Sequence, residues 1–162
     1  FGGMRRDKWQ NSVAVLDTEQ WKWTVPKIVG VPPKARTYHS ATVIPPRRNG
    51  GANNNNNNNK NVDARIVIFG GNDEGKSFST VHVLETGTWK WCHPIVSGDD
   101  RPRARTGHSA VLLEDQKTIM IYGGWDPVNE YDDINHIFKD CYLLDTELWT
   151  WRVGPNRVEE RR

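Results

Sequence analysis

Two nine-residue stretches, Pro33-Lys-Ala-Arg-Thr-Tyr-His-Ser-Ala41 and Pro102-Arg-Ala-Arg-Thr-Gly-His-Ser-Ala110, each gather a guanidinium, an imidazole and a hydroxyl. These are the groups of nucleophilic catalysis, in which a base activates a hydroxyl and a cation steadies the developing charge. Such a base must be oriented by a third group, and no Ser/His/Asp set can be assembled around His39–Ser40 or His108–Ser109 at any consistent spacing. Both histidines recur with their whole motif, which suits side chains that hydrogen-bond within their own repeat unit. The chain is therefore read as a non-enzyme that carries no cofactor. Arg36 and Arg105 stay as binding candidates, because a guanidinium can fork onto a carboxylate or phosphate. The alternative is a structural arginine bonded to loop carbonyls or to a neighbouring unit.

The elements that must position these residues form a repeat. Three Gly-Gly pairs end short apolar runs: Phe1-Gly-Gly3, Ile66-Val-Ile-Phe-Gly-Gly71 and Ile119-Met-Ile-Tyr-Gly-Gly124. A polar loop and a second apolar run follow each pair, over Ser12 to Asp17, Thr80 to Glu85 and Lys139 to Asp145, which is strand, turn, strand. Four residues after each final acid stands Trp21, Trp89 or Trp149, and two further on Trp23, Trp91 or Trp151. Read as extended strand, each pair points to one face and fills the space between packed sheets. One more strand, His39 to Ile44 or His108 to Leu113, precedes the second and third Gly-Gly pairs, so a complete unit has four strands. The intervals Trp23 to Trp91 and Trp91 to Trp151, 68 and 60 positions, become 52 and 53 once the longer loops are allowed for. A four-stranded repeat of about 50 residues is the period of a kelch blade.

The paired glycines, the downstream acid and the tryptophan six residues beyond it resemble a kelch-repeat β-propeller over residues 1 to 153. The linkers Pro26 to His39 and Pro94 to His108 resemble the variety found in cell-polarity and Rab-effector proteins. Leu16, Leu84 and Leu144 depart from the pattern, since many kelch repeats carry Tyr there. The resemblance implies an all-β fold of four-stranded antiparallel blades, with two complete blades and most of a third. Residues 1–30 form the partial first blade, 31–98 the second, 99–153 the third, and 154–162 a tail or the start of a linker. The insert 47–64, with its run of seven asparagines, is expected to be a disordered excursion. Because propellers typically need four or more blades, the chain is expected to be a piece of a larger ring whose remaining blades complete it.

In kelch proteins the linkers leading into each first strand share a face with the loops leaving each Gly-Gly pair, and that face binds the partner. Here loop one, Met4 to Trp9, carries net +2, loop two, Asn72 to Ser77, net −1, and loop three, Trp125 to His136, net −4. The residues this selects for a protein or peptide partner are Arg6, Arg36, Asn72, Asp73, Lys76, Arg105, Trp125, Asp126, Asn129, Glu130 and Tyr131. Trp125 and Tyr131 make loop three the expected main contact, since aromatics dominate interface hot spots. The alternative is a substrate-recognition domain of a larger enzyme, a ubiquitin-ligase adaptor or a phosphatase. Plant specifier proteins, also kelch propellers, bind ferrous iron through Glu-x-x-x-Asp-x-x-x-His. Asp132 and His136 match its last two positions, but Val128 stands where the Glu belongs and Glu130 is displaced by two, so no metal site is expected.

Composition restricts the remaining classes. A net charge of +2 on 162 residues gives no concentrated basic stripe for nucleic acid, and no apolar run is long enough to insert in a membrane. Cys92 and Cys141, in no metal-binding spacing, are read as buried free thiols, with a disulfide between them left open. Free thiols fit a reducing compartment, hence a cytoplasmic or nuclear setting.

Overall fold

The computed structural model describes residues 1–46, 63–127 and 137–155. Its strands are β1 (Met4–Arg5), β2 (Lys8–Trp9), β3 (Val15–Asp17), β4 (Lys22–Thr24), β5 (Ser40–Ile44), β6 (Arg65–Phe69), β7 (Val81–Glu85), β8 (Lys90–Cys92), β9 (Ser109–Leu112), β10 (Thr118–Tyr122), β11 (Cys141–Asp145) and β12 (Thr150–Val153). No helix occurs among the described residues. Two antiparallel four-stranded sheets, β5-β6-β7-β8 and β9-β10-β11-β12, follow chain order, and β3-β4 forms the outer pair of a third unit. This is the all-β blade architecture expected. Residues 47–62 of the asparagine-rich insert and residues 156–162 of the tail lie outside the described residues.

Strand alternation gives each blade two apolar faces. Val67, Phe69, Val81 and Val83 meet Ile119, Ile121, Leu144 and Trp151 of the next blade in one buried cluster. Ile68, Leu84 and Trp91 turn the other way, to Val13 and Phe1 of the first unit. The strands are therefore apolar on both sides, as expected when a sheet is sandwiched between neighbours. Each junction carries an edge-to-face aromatic pair, Phe1 with Trp91 at 4.9 Å and Phe69 with Trp151 at 5.2 Å.

Only the second tryptophan of each pair behaves as a strand residue. Trp21, Trp89 and Trp149 have φ of 52°, 50° and 53°, so they close the hairpin turn before β4, β8 and β12 and do not share an extended face with Trp23, Trp91 and Trp151. The cause is the turn itself: Asp17 and Asp145 accept from backbone amides two and three residues on, Asp145 Oδ1 from Glu147 and Leu148 at 2.8 and 2.9 Å, and Glu85 accepts from the Thr88 hydroxyl three residues on. A left-handed residue must then return the chain to the sheet. Trp89 and Trp149 still pack at the margin of the two cores. Trp23 is 65% exposed, whereas Trp151 is 4% exposed.

The Gly-Gly pairs are set by close approach. A Cβ on Gly70, at φ 66°, would meet Arg105 O and His108 Cε1 of the next blade at 2.7 Å; on Gly71, at φ 87°, it would meet Thr37 O at 2.5 Å. One glycine admits the neighbouring blade and the other admits the linker of its own blade. The outer edge of each complete blade is also covered from the preceding linker. Val29 bridges Lys90 and Ser97 bridges Thr150, both parallel, so edge amides that would otherwise template foreign strands are paired. Cys92 and Cys141 are free thiols in β8 and β11; Cys141 is buried and Cys92 half-buried.

Candidate functional site

The linkers and the Gly-Gly loops meet on one face. Thr37 pairs antiparallel with Asn72, and Thr106 with Trp125, so each linker lies beside the loop of its own blade. Loop one is a small hairpin, β1 paired with β2, whose two turn residues Arg6 and Asp7 have φ of 47° and 59°. That is the twist a two-residue hairpin requires, formed without glycine and therefore strained. Arg6 is exposed at the tip. Loop two is narrow: Asn72 bridges Ser77, and Asp73 Oδ1 accepts from the Gly75 and Lys76 amides at 3.0 and 2.9 Å. Between the two loops, over the first linker, lies a cleft of about 870 Å³ lined by Lys8, Trp9, Lys34, Asp73, Glu74 and Lys76 among others.

Two of the expected contact residues are held by the fold instead. Asn72 is half-buried, and its Oδ1 accepts from Thr106 Oγ1 at 3.1 Å and Thr37 Oγ1 at 3.3 Å, joining successive linkers. Asp126 is buried and accepts from Ser77 Oγ at 2.7 Å, so it ties loop three to loop two and does not serve as an open acidic rim residue. Trp125 remains 44% exposed. Asn129, Glu130 and Tyr131, like Val128, Asp132, Asp133 and His136 of the weighed metal motif, lie outside the described residues. Among the described residues no group of three or more His, Cys, Asp or Glu could hold a metal.

Arg36 and Arg105 are 1% and 0% exposed, so both guanidinium groups sit in sockets beneath the surface of this face. Each places Nη1 on the first Gly carbonyl of its own pair, Gly70 or Gly123, at 2.9 Å. Each stacks its guanidinium on a phenylalanine, Phe78 at 4.1 Å or Phe138 at 4.3 Å. Arg105 is then closed by Asp140, with Nη1–Oδ1 2.6 Å and Nη2–Oδ2 3.0 Å. This bidentate pair occupies the outer donors of Arg105, the residue expected to fork onto a partner. Arg36 has weaker partners, Thr80 Oγ1 at 3.3 Å and His82 Nε2 at 3.4 Å. Burial lowers its pKa to about 10, a shift that Asp73 partly offsets.

The motif histidines are structural but reach beyond their own blade. His108 Nε2 meets Ser40 Oγ of the preceding blade at 2.9 Å, and its ring stands edge-on to Phe69 at 5.1 Å; His39 does the same to Phe1 at 5.2 Å. Burial, reinforced by Arg36 or Arg105, depresses both pKa values to about 4, so they are neutral near pH 7. The expectation of bonding within one blade fails because the ring is directed at the preceding Gly-Gly corner.

One residue of this face was missed. Tyr38, 68% exposed, has φ 51° where the second linker has Gly107 at φ 61°. The Gly107 amide donates to Tyr38 O at 3.0 Å, and a Cβ on Gly107 would lie 3.2 Å from the Trp125 indole nitrogen. The Tyr38 carbonyl and the Trp125 indole nitrogen thus both lie next to Gly107. The signal lay in the aligned motifs, where a bulky residue stands in a slot that elsewhere requires glycine.

The four-stranded blades, their Gly-Gly corners and the linkers that join them define a kelch-type β-propeller fragment. The profile of the KLHDC2/KLHL20/DRC7 Kelch-repeats domain matches residues 1–159. The chain belongs to this kelch-repeat family. It is 26% identical over 127 residues to the Rab9 effector protein with kelch motifs of Xenopus laevis, covering 76% of this chain and 29% of that protein. It is 30% identical over 122 residues to Kelch domain-containing protein 1 of Mus musculus, covering 75% and 25%. To Acyl-CoA-binding domain-containing protein 4 of Arabidopsis thaliana it is 29% identical over 127 residues, covering 78% and 16%. The chain thus spans less than a third of each of these relatives. Kelch membership supports a module for protein interaction.

Proposed function

We propose that this chain binds a protein or peptide through the face formed by its linkers and Gly-Gly loops. The observation that carries the reading is the exposed pair Tyr38 and Trp125, which flank Gly107 from two successive blades. Tyr38 keeps a left-handed backbone while leaving its ring outside the core, and non-glycine strain of this kind concentrates at working surfaces. Large aromatics on a rigid sheet scaffold are the usual anchors of an interface. The exposed hairpin tip at Arg6 and the exposed Lys76 would steer and orient the partner. Because relatives of this chain are named Rab9 effectors, a Rab-class GTPase is the first protein to test. Purified GTPase, loaded with a GTP analogue or GDP, is passed over the immobilised 162-residue chain and over its Tyr38→Ala/Trp125→Ala variant. Extract proteins are passed over both in parallel. Equal retention of every bound protein by chain and variant would defeat the reading.

A further inference from the structure

The two complete blades contain the same arginine socket, and one of them lacks its anion. In both, the arginine Nε donates to the carbonyl two residues upstream, Lys34 or Arg103, Nη1 donates to the Gly-Gly carbonyl, and the guanidinium lies on a phenylalanine. The sockets differ at one register position. Asp140 immediately precedes β11 and clasps Arg105 with both oxygens. The residue immediately preceding β7 is Thr80, which offers Arg36 a hydroxyl at 3.3 Å.

No carboxylate of the described residues lies within ion-pair distance of Arg36. Asp73 acts on it only through its field, and its Oδ1 already serves the loop amides. A guanidinium at 1% exposure is thus hydrogen-bonded but not neutralised, which is costly for a buried charge. The register position that Asp140 holds in the third blade is at the solvent margin, and in the second blade Thr80 holds it. Asp140 is itself 31% exposed above a fully buried Arg105, and Thr80 is exposed. On the solvent side of Arg36 stand His82 and His93, whose Nδ1 atoms are 2.7 Å apart. His93 Nε2 donates to Val31 O at 2.9 Å, and His82 Nε2 accepts from Arg36, so His82 Nδ1 is the donor to His93. This chain of neutral rings fills the guanidinium's last donor with a 3.4 Å contact, far longer than the 2.6 and 3.0 Å of Asp140. Lys76 adds positive charge 5.5 Å from the same Phe78 ring.

We propose that Arg36, Thr80 and His82 form an oxyanion-binding subsite for an acidic or phosphorylated side chain of the partner, which takes the place that Asp140 holds on Arg105. The proposal rests on the face being a partner-binding surface, but its test needs no partner, so the two can fail separately. One oxygen would accept from Arg36 Nη2 and from Thr80 Oγ1, which now contacts His82 Nε2 at 2.9 Å, and His82, protonated on both nitrogens beside the anion, would donate Nε2–H to it while Nδ1 keeps its bond to His93. A bidentate carboxylate matches the planar donor pair, as in the Arg105 socket.

The test compares the whole chain with Thr80→Asp, which supplies the missing carboxylate internally. Thermal unfolding near pH 7 is followed in acetate, phosphate and chloride at one ionic strength. Acetate should raise the wild-type midpoint above its chloride value. Thr80→Asp should start from a higher midpoint and lose that increment, which removes any general salting effect from the comparison. A larger wild-type increment in phosphate, also lost in the variant, assigns the subsite to a phosphorylated side chain and not to Asp or Glu. Equal increments in the two proteins, or none in the wild type, overturn the proposal. Should Thr80→Asp not fold, the His82 ring titration followed by NMR in wild-type protein decides. An upward shift in acetate relative to chloride supports the subsite, and identical titrations refute it.

Discussion

Phe69 and Trp151 meet edge to face at 5.2 Å and an interplanar angle of 62°, across the boundary between the two complete blades. Phe1 and Trp91 repeat the contact at the preceding boundary, at 4.9 Å and 65°. The outer strand of each blade thus grips the second strand of the blade before it. Truncation of a fully packed indole costs about 3–5 kcal/mol. Trp151→Ala should lose stability of that order in urea unfolding, while Trp23→Ala, whose ring is 65% exposed, should lose less than about 1 kcal/mol. Similar losses for both would mean that the aromatic pair does not hold the boundary.

Gly70 and Gly75 make a second contrast within the same blade. Gly70→Ala forces a Cβ against Arg105 O and His108 Cε1 at a positive φ, whereas Gly75 is not left-handed and its nearest contact is 4.0 Å away. The left-handed backbone alone costs about 1–2 kcal/mol for an L-residue, and displacement of the next blade's linker adds to it. Gly70→Ala should move the urea midpoint down clearly and Gly75→Ala barely. Comparable midpoints would remove the steric account of the Gly-Gly corner.

The repeat and the blade count were legible because they follow from spacing and residue type. Gly-Gly, the acid and Trp23, Trp91 or Trp151 mark places where backbones cross or indoles fill a gap, and each is a local constraint. The conformation of Trp21, Trp89 and Trp149 was not legible, since a period of two reads as strand even when a left-handed turn intervenes. The fates of Arg36 and Arg105 could not be separated by their identical motifs either. They depend on Thr80 and Asp140, 44 and 35 positions downstream, which only the folded sheet brings beside them. Asp126 was misread for a similar reason: an acid in an acidic loop looks exposed until Ser77 is found against it.

His39, His82 and His108 tie folding to pH. Burial is the main cause of their pKa values of about 4, with Arg36 acting on His39 and His82 and Arg105 on His108. In the unfolded chain these rings titrate near their ordinary value of about 6.5. Between those limits the unfolded state binds protons that the folded state does not, so stability falls as pH falls from about 6.5 to about 4 and this contribution levels off below that. After allowance for partial solvent screening, each ring contributes on the order of 1 kcal/mol. Denaturant unfolding between pH 7.5 and 4.5, roughly spanning that window, should trace the decline. A flat profile would mean that the rings can protonate in place.

Asp140 should matter far more than its position at a strand end suggests. Its removal leaves Arg105 charged, fully buried and without a counter-ion, which typically costs about 3 kcal/mol or more for a buried pair. Asp140→Ala is therefore expected to destabilise strongly. Asp140→Ala with Arg105→Met, which removes the charge as well, should recover much of the loss. If the double variant is no more stable than the single one, the carboxylate acts through something other than Arg105.

The last prediction concerns binding. Tyr38 and Trp125 lie outside the buried clusters of the blades, so exchanging either ring for a methyl group should leave unfolding within about 1 kcal/mol of wild type. Tyr38→Ala keeps the left-handed φ, and Trp125→Ala leaves the Thr106–Trp125 backbone bridge in place. At an interface, loss of an aromatic anchor costs about 2 kcal/mol or more, roughly thirtyfold in affinity. Retention of the GTPase or of extract proteins by the immobilised chain should therefore drop sharply in each single variant and vanish in the double one, at unchanged thermal midpoint. Trp23→Ala, an exposed indole away from the linkers and Gly-Gly loops, serves as the control and should bind like wild type. Loss of capture in Trp23→Ala together with full capture in Tyr38→Ala/Trp125→Ala would transfer the partner to the outer edge of the first blade and away from the face assigned to it.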